Sequence, residues 1–107
     1  MAGAKIVVAY PQPKDLATFE KAYKEEHVPL AAEKLAGVTK FVGTKIVGSP
    51  LGRAPFCRIA ELHFDSMEAL NACMASPGGQ ETAAHAMSIS TGGAPIFLVG
   101  EEETYTF

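Results

Sequence analysis

Apolar residues along the chain fall into short runs typical of strands, separated by segments with a helical period. Residues 5–10 are apolar on both faces and rich in β-branched side chains, and prolines follow, which predicts a central strand. Residues 38–48 and 56–64 alternate between apolar and polar positions, and the short turn-forming loop between them predicts an antiparallel hairpin. A fourth strand is predicted over residues 94–99.

The segment after the first strand has the spacing of an amphipathic helix. Residues 14–27 place large side chains at steps of three and four, which predicts a helix with one buried face. That face consists of Leu16, Phe19, Tyr23 and His27. Because Pro29 lacks an N–H and disfavours helical geometry at Val28, we expect a break there and a second helical turn over residues 29–35.

The second helical region contains two start signals. Asp65 with Glu68 three positions later resembles a capping box, so a helix is predicted from Asp65 to about residue 75. Ser76 followed by Pro77 predicts a new helix, because serine is a good cap and proline is favoured at the first helical position.

The resulting element order is strand–helix–strand–strand–helix–strand, which belongs to the α+β class. Right-handed crossovers turn this order into a four-stranded antiparallel sheet with both helices on one face. The length of 107 residues is that of one ordinary domain, so a single domain is predicted over residues 1–107.

The sheet face away from the helices is predicted to be an association surface. The first and last strands are apolar on both faces, so an uncovered face would expose a large apolar area. Packing that face against a second copy would give a two-fold homodimer. The alternative is a monomer with a partly apolar surface.

Charge and composition exclude several classes of partner. The net charge is −3 and no basic cluster occurs, so nucleic acid is not expected as a partner. No apolar run approaches the ~20 residues of a membrane helix, and the N-terminus does not resemble a signal peptide, so a cytoplasmic protein is expected. Cys57 and Cys73 are expected to be buried thiols in a reducing compartment.

Tyr23 and His27 are the first candidates for chemistry. They lie four residues apart on the predicted buried face, so their side chains should be neighbours facing the sheet. Imidazole titrates near neutral pH and could transfer protons there. The alternative is a core histidine bonded to a carbonyl group, with a core tyrosine beside it.

The third predicted strand supplies the other candidates. Glu61 and His63 project to one face and Arg58 to the opposite face. Glu61 and His63 could be an acid–base pair or a polar contact within a dimer interface. Tyr10, at the end of the first strand, could line the mouth of a pocket or lie at the edge of the core.

No group of residues in the sequence predicts a cofactor. His27, His63 and His85 lack the spacing of a metal site, and His85 is expected to face solvent. The glycine pairs do not form a phosphate loop, and no serine lies in a nucleophile elbow. Neither a metal nor a nucleotide cofactor is therefore expected.

Several segments resemble the EthD family. Residues 23–30 read Tyr-Lys-Glu-Glu-His-Val-Pro-Leu, which is similar to the family motif Tyr-x-x-x-His-x-Pro-Leu. Residues 58–66 resemble the family's third strand running into its second helix, and residues 76–80 and 91–93 are similar to later segments. The resemblance implies a dimeric α/β barrel of ferredoxin-like protomers. His63 stands where relatives have an aromatic residue, so any role for it would be particular to this protein.

The resemblance also implies a choice of functions. The family is named for a protein encoded with an ethyl tert-butyl ether degradation system, and its wider superfamily includes cofactor-free oxygenases, isomerases, cyclases, decarboxylases and haem-handling enzymes. One hypothesis is a cofactor-free catabolic enzyme acting on a small aromatic or carbonyl compound, with His27 as acid or base and Tyr23 orienting it or stabilising an oxyanion. A second is a non-catalytic protein that binds a small hydrophobic or aromatic ligand, and a third is a haem binder. Fold alone does not choose among them.

Overall fold

The computed structural model describes residues 3–107 and has the predicted order of strands and helical regions. The elements are β1 (Ala4–Pro11), α1 (Leu16–Ala22), a π-helical turn (Tyr23–His27), α2 (Val28–Lys34), β2 (Val38–Lys45), β3 (Phe56–Phe64), α3 (Met67–Ala75), α4 (Pro77–Ile89) and β4 (Ile96–Glu101). Within the described part of the chain, no helix is long and apolar enough to cross a bilayer.

The four strands form one antiparallel sheet in the order β2-β3-β1-β4. Val8 in the centre of β1 pairs with Ala60 of β3 on one side and with Phe97 of β4 on the other. The predicted α+β class and four-stranded antiparallel sheet are confirmed. β2 ends at Lys45, which pairs with Arg58, short of its predicted end; one further backbone bond, from Ile46 N–H to the Cys57 carbonyl at 2.9 Å, follows it.

The predicted break before Pro29 does not occur. Val28 has helical angles, φ −61° and ψ −46°, and its N–H bonds to the carbonyl of Tyr23 five residues earlier. In a regular α-helix the Pro29 ring would collide with the carbonyl of Glu25, four residues before it. The wider π-helical turn relieves this conflict, so α1, the π-helical turn and α2 continue without interruption.

Serine side chains cap both helices of the second helical region. The prediction that Asp65 caps α3 is wrong, because Ser66 is the extended residue before the helix and its Oγ accepts the Ala69 N–H at 3.1 Å. Ser76 ends α3 and begins α4: its Oγ donates to the Cys73 carbonyl and accepts the Gly79 N–H. The predicted helix start at Ser76 and Pro77 is confirmed.

The core lies between the helices and one face of the sheet. Its strand residues include Ile6, Val8, Tyr10, Ala60, Leu62 and Phe64, and its helix residues include Phe19, Tyr23, Leu70, Cys73 and Ala86. The opposite face, called the open face below, is uncovered, and Ile96 and Leu98 of β4 are 43% and 54% exposed there. Cys57 and Cys73 are buried free thiols, as predicted.

Candidate functional site

His27 forms a hydrogen bond with Tyr10 beneath the helices. The Tyr10 hydroxyl lies 3.3 Å from His27 Nε2, and both residues are buried, with Tyr10 fully inaccessible and His27 only 4% exposed. The two residues meet because β1 ends under the π-helical turn, whose inward face presents Tyr23 and His27. The spacing-based prediction that His27 faces the sheet therefore agrees with its position.

The other ring nitrogen of His27 contacts His85 of α4. The two Nδ1 atoms lie 2.9 Å apart, and the rings stack with centroids 5.2 Å apart and an angle of 8°. The far nitrogen of His85, Nε2, is 3.5 Å from the Glu26 carboxylate at the surface. The expectation that His85 simply faces solvent is wrong, because α4 packs against the π-helical turn and leaves its ring half-buried.

Burial sets the protonation state of the Tyr10–His27 pair. Burial, together with a smaller contribution from the neighbouring His85, lowers the pKa of His27 to about 4. Burial also raises the pKa of the Tyr10 hydroxyl. At neutral pH the site therefore combines a neutral imidazole with a protonated phenol.

Tyr23 belongs to an aromatic stack around this pair. Its ring lies between those of Phe19 and His27, with centroid distances of 5.9 Å to each. Tyr10 contacts the edge of this stack, with its centroid 5.8 Å from that of Tyr23. The stack orients the His27 ring, although the Tyr23 hydroxyl itself forms no hydrogen bond within residues 3–107.

A buried ion pair lies on the other side of Tyr23. Arg58 Nη2 bonds to Glu20 Oε2 at 2.7 Å, with side chains 8% and 13% exposed. The guanidinium carbon of Arg58 also lies 4.5 Å from the centre of the Tyr23 ring, a cation–π contact. Burial raises the pKa of Tyr23, and the positive charge of Arg58 opposes that rise.

A small cavity extends from Tyr10 and His27 between the helices and the sheet. Its volume is about 40 Å³, and its walls are mainly apolar, including Ile6, Val8, Leu62, Ala86 and Phe97. Thr82 also lines it, but its hydroxyl already donates to the Gly78 carbonyl at 2.8 Å. The polar atoms offered to a ligand are therefore chiefly those of Tyr10 and His27.

Glu61 and His63 lie on the open face, and neither lines this cavity. The Glu61 carboxylate bonds to Lys5 Nζ at 2.7 Å, and this bond lowers the Glu61 pKa. His63 is 3.9 Å from Glu61 and 3.7 Å from Glu102, beyond hydrogen-bond distance in both cases. The structure thus separates the predicted residues into two groups, with Tyr10, Tyr23, His27 and Arg58 on the helix side and Glu61 and His63 on the open face.

Sequence reasoning missed His85, Glu26 and Glu20 as members of the helix-side group. His85 lies 58 residues from His27 in the chain, and Glu20 lies 38 residues from Arg58. Glu20 shares a helical face with Tyr23 at a step of three, which was the one local signal available. No cluster of three or more potential metal ligands occurs among residues 3–107.

Comparison with known proteins assigns the family. A model of the EthD domain matches residues 11–88. The chain belongs to the EthD family. This EthD chain is also 31% identical over 99 residues to an uncharacterized 11.0 kDa protein from the thcB–thcC intergenic region of Rhodococcus erythropolis, covering 92% of this chain and 94% of that protein. The predicted resemblance of the chain to the EthD family is therefore confirmed.

Solved structures agree with this assignment. The crystal structure of an EthD family protein from Bacillus halodurans is 32% identical, covers 96% of this EthD chain and 100% of its own, and has a TM-score of 0.86. A dimeric ferredoxin-like protein of unknown function from Jannaschia sp. is 18% identical, covers 97% and 100%, and has a TM-score of 0.65. The second likeness is one of fold, and it confirms the ferredoxin-like architecture.

Proposed function

We propose that this EthD-family chain is a cofactor-independent enzyme that uses acid–base chemistry on a small aromatic or carbonyl compound. The observation that carries the proposal is the Tyr10–His27 hydrogen bond beside an apolar cavity. Tyr10 and His27 would be the reacting groups. Tyr23 would position the imidazole through the aromatic stack, and Arg58 would support Tyr23.

The environment suits proton abstraction from a carbon next to a carbonyl group. His27 is neutral at neutral pH and can accept a proton, whereas an exposed histidine would already be partly protonated; the burial that keeps His27 neutral also makes it a weaker base. Tyr10 can donate to a carbonyl oxygen on which negative charge develops. A positioned acid–base group typically contributes about 10²- to 10⁴-fold to a rate.

The size of the cavity limits the substrate. A volume of about 40 Å³ is less than an aromatic ring needs, so the walls must move to admit one. Met74 lines the cavity and is 38% exposed, and methionine is the side chain that adapts most easily to such movement. We therefore expect compact, uncharged ligands with one polar oxygen.

Deuterium exchange tests the proposal without knowledge of the natural substrate. Small ketones such as cyclohexanone and acetophenone would be incubated with the protein in deuterated buffer, and loss of the α-proton signal would be followed by NMR. We expect exchange above the buffer rate, reduced at least 10²-fold by His27→Gln. Equal exchange rates for the wild type and the variant would contradict the assignment of His27 as the base.

The second candidate function is binding without turnover. Tyr10 and His27 form a hydrogen bond with each other. A pocket that only recognises a ligand oxygen needs such polar groups but no proton transfer. In that case His27→Gln should retain most of the affinity for these ketones, and neither protein should promote exchange. A cytoplasmic location and a role in catabolism stay predictions from the sequence and the family resemblance.

We further propose that the open face packs against a second copy of the chain. Ile96, Leu98 and the ion pair between Lys5 and Glu61 lie on this face. An exposed apolar face of this kind is typical of an association surface. The Jannaschia protein is described as dimeric, which supports a homodimer. Glu61 and His63 would then contribute to the interface rather than to the cavity.

A further inference from the structure

Three side chains connect Tyr10 to the surface of the molecule. The atoms are separated by 3.3 Å from Tyr10 to His27, 2.9 Å from His27 to His85, and 3.5 Å from His85 to Glu26. Exposure increases along this series, from 4% for His27 to 23% for the His85 side chain and 65% for that of Glu26. We infer that His85 and Glu26 form the route by which a proton leaves the buried Tyr10–His27 pair for solvent.

The Glu26 carboxylate sets the direction of this series. A carboxylate only accepts hydrogen bonds, so the nitrogen that faces it, His85 Nε2, carries the proton of a neutral His85. His85 Nδ1 is then an acceptor, and the hydrogen between the two rings belongs to His27 Nδ1. His27 Nε2 is in turn free to accept the Tyr10 hydroxyl proton.

This arrangement moves protons outward one contact at a time. When His27 Nε2 takes a proton from a substrate C–H bond, the Tyr10 hydroxyl donates to the carbonyl oxygen of the substrate instead of to His27. His27 then releases its Nδ1 proton to His85 Nδ1, and His85 releases its Nε2 proton to Glu26, which returns it to water. The electron pair of the broken C–H bond stays on the substrate as an enolate, so no oxidant or reductant is required.

The route removes a difficulty that a single buried base would face. An imidazolium ion at His27 would be desolvated, as its lowered pKa shows. Transfer to His85 and Glu26 carries the proton to a half-exposed ring and then to an exposed carboxylate. The transfer of a substrate proton along this route rests on the proposed function. The tautomers expected for His27 and His85 do not depend on it.

Long-range nitrogen–proton NMR at pH 8 tests the route directly. We expect the Nδ1–H tautomer for His27 and the Nε2–H tautomer for His85. Glu26→Gln should mix the His85 tautomers and slow exchange of the His27 Nδ1 proton with water several-fold. The matched control is Glu25→Gln, which removes an exposed carboxylate one residue away and should change neither quantity. An Nε2–H tautomer at His27, or no response to Glu26→Gln, would overturn the inference.

The rate of deuterium exchange into the ketones provides a second test of the route. His85→Asn keeps a polar partner for His27 Nδ1 but cannot tautomerise, so deuterium incorporation should fall at least tenfold, and added imidazole should restore part of the rate. Failure of the wild type to promote any exchange would reject the proposed function, while the tautomers would still decide whether the route exists. Unchanged exchange in both His85→Asn and Glu26→Gln would reject the route alone.

Discussion

Gly43 of β2 lies against the hydroxyl of Tyr23, so that a Cβ at position 43 would be only 2.7 Å from the phenolic oxygen. Tyr23 is 2% exposed and held in the aromatic stack, so its ring has little room to withdraw. We expect Gly43→Ala to lower the free energy of unfolding by about 1–3 kcal/mol, because overpacking a core distorts its neighbours. Urea unfolding monitored by circular dichroism would measure this change.

A double variant separates this clash from other effects of alanine in a strand. Tyr23→Phe removes the oxygen that the new methyl group would meet, and that oxygen has no hydrogen-bond partner among residues 3–107. Gly43→Ala should therefore cost much less in a Tyr23→Phe background than in the wild type. Equal costs in the two backgrounds would show that the clash is not the cause.

The buried pair of Glu20 and Arg58 should be sensitive to loss of either partner. Glu20→Ala leaves the Arg58 guanidinium buried without its counter-charge, which we expect to cost about 3–5 kcal/mol. The control is Glu33→Ala, whose exposed carboxylate lies 3.9 Å from Lys34 and should contribute less than about 0.5 kcal/mol. Similar unfolding midpoints for the two variants would contradict this prediction.

The lowered pKa of His27 should make stability depend on pH. The unfolded chain, with a histidine pKa of 6.5, binds a proton more readily than the folded protein, in which the value is about 4. Stability is therefore present above pH 6.5 and is lost as the pH falls towards 4, by about 2 kcal/mol between pH 7 and pH 5. His27→Gln should lack this part of the pH dependence, which urea unfolding at several pH values would show. Parallel curves for the two proteins would argue against a buried neutral imidazole.

The proposed homodimer can be disrupted on the open face alone. Leu98→Asp places a charge on that face, so light scattering should show a shift from dimer to monomer at micromolar concentration. Met87→Asp alters a similarly exposed residue, 56% accessible, on α4 in the helical layer and should leave the mass unchanged. A monomeric wild type would reject the proposed interface.

Features that depend on local pattern were predictable from the sequence. The bounds of β3 match the prediction because turn residues before it and a helix cap after it delimit a clear alternation. His27 faces the sheet because two steps of four from Phe19, through Tyr23, keep it on the buried side, even though the π-helical turn widens the spiral. At the start of α3, Asp65 and Ser66 are both good caps, and only the extended backbone of Ser66 decides between them.

The network around His27 depends on long-range packing and was not predictable in the same way. His85 lies in an alanine-rich helix whose sequence does not reveal which neighbour it will meet, and the contact with the π-helical turn supplies that neighbour. Tyr10 precedes two prolines and looks like a strand end near solvent, yet α1 and the π-helical turn cover it completely. Both residues acquire their positions only when the helices pack on the sheet.

The π-helical turn also makes the length of this segment a marker in comparisons between EthD sequences. A deletion of one residue within positions 24–26 would allow an ordinary α-helix to form, with each residue advancing about 100°. Tyr23 and His27 would then be three residues apart, a step that still places both on one helical face. A relative with a one-residue gap at this point would thus be expected to lack the proline two residues after the histidine, because in a regular helix its ring would collide with the carbonyl four residues earlier.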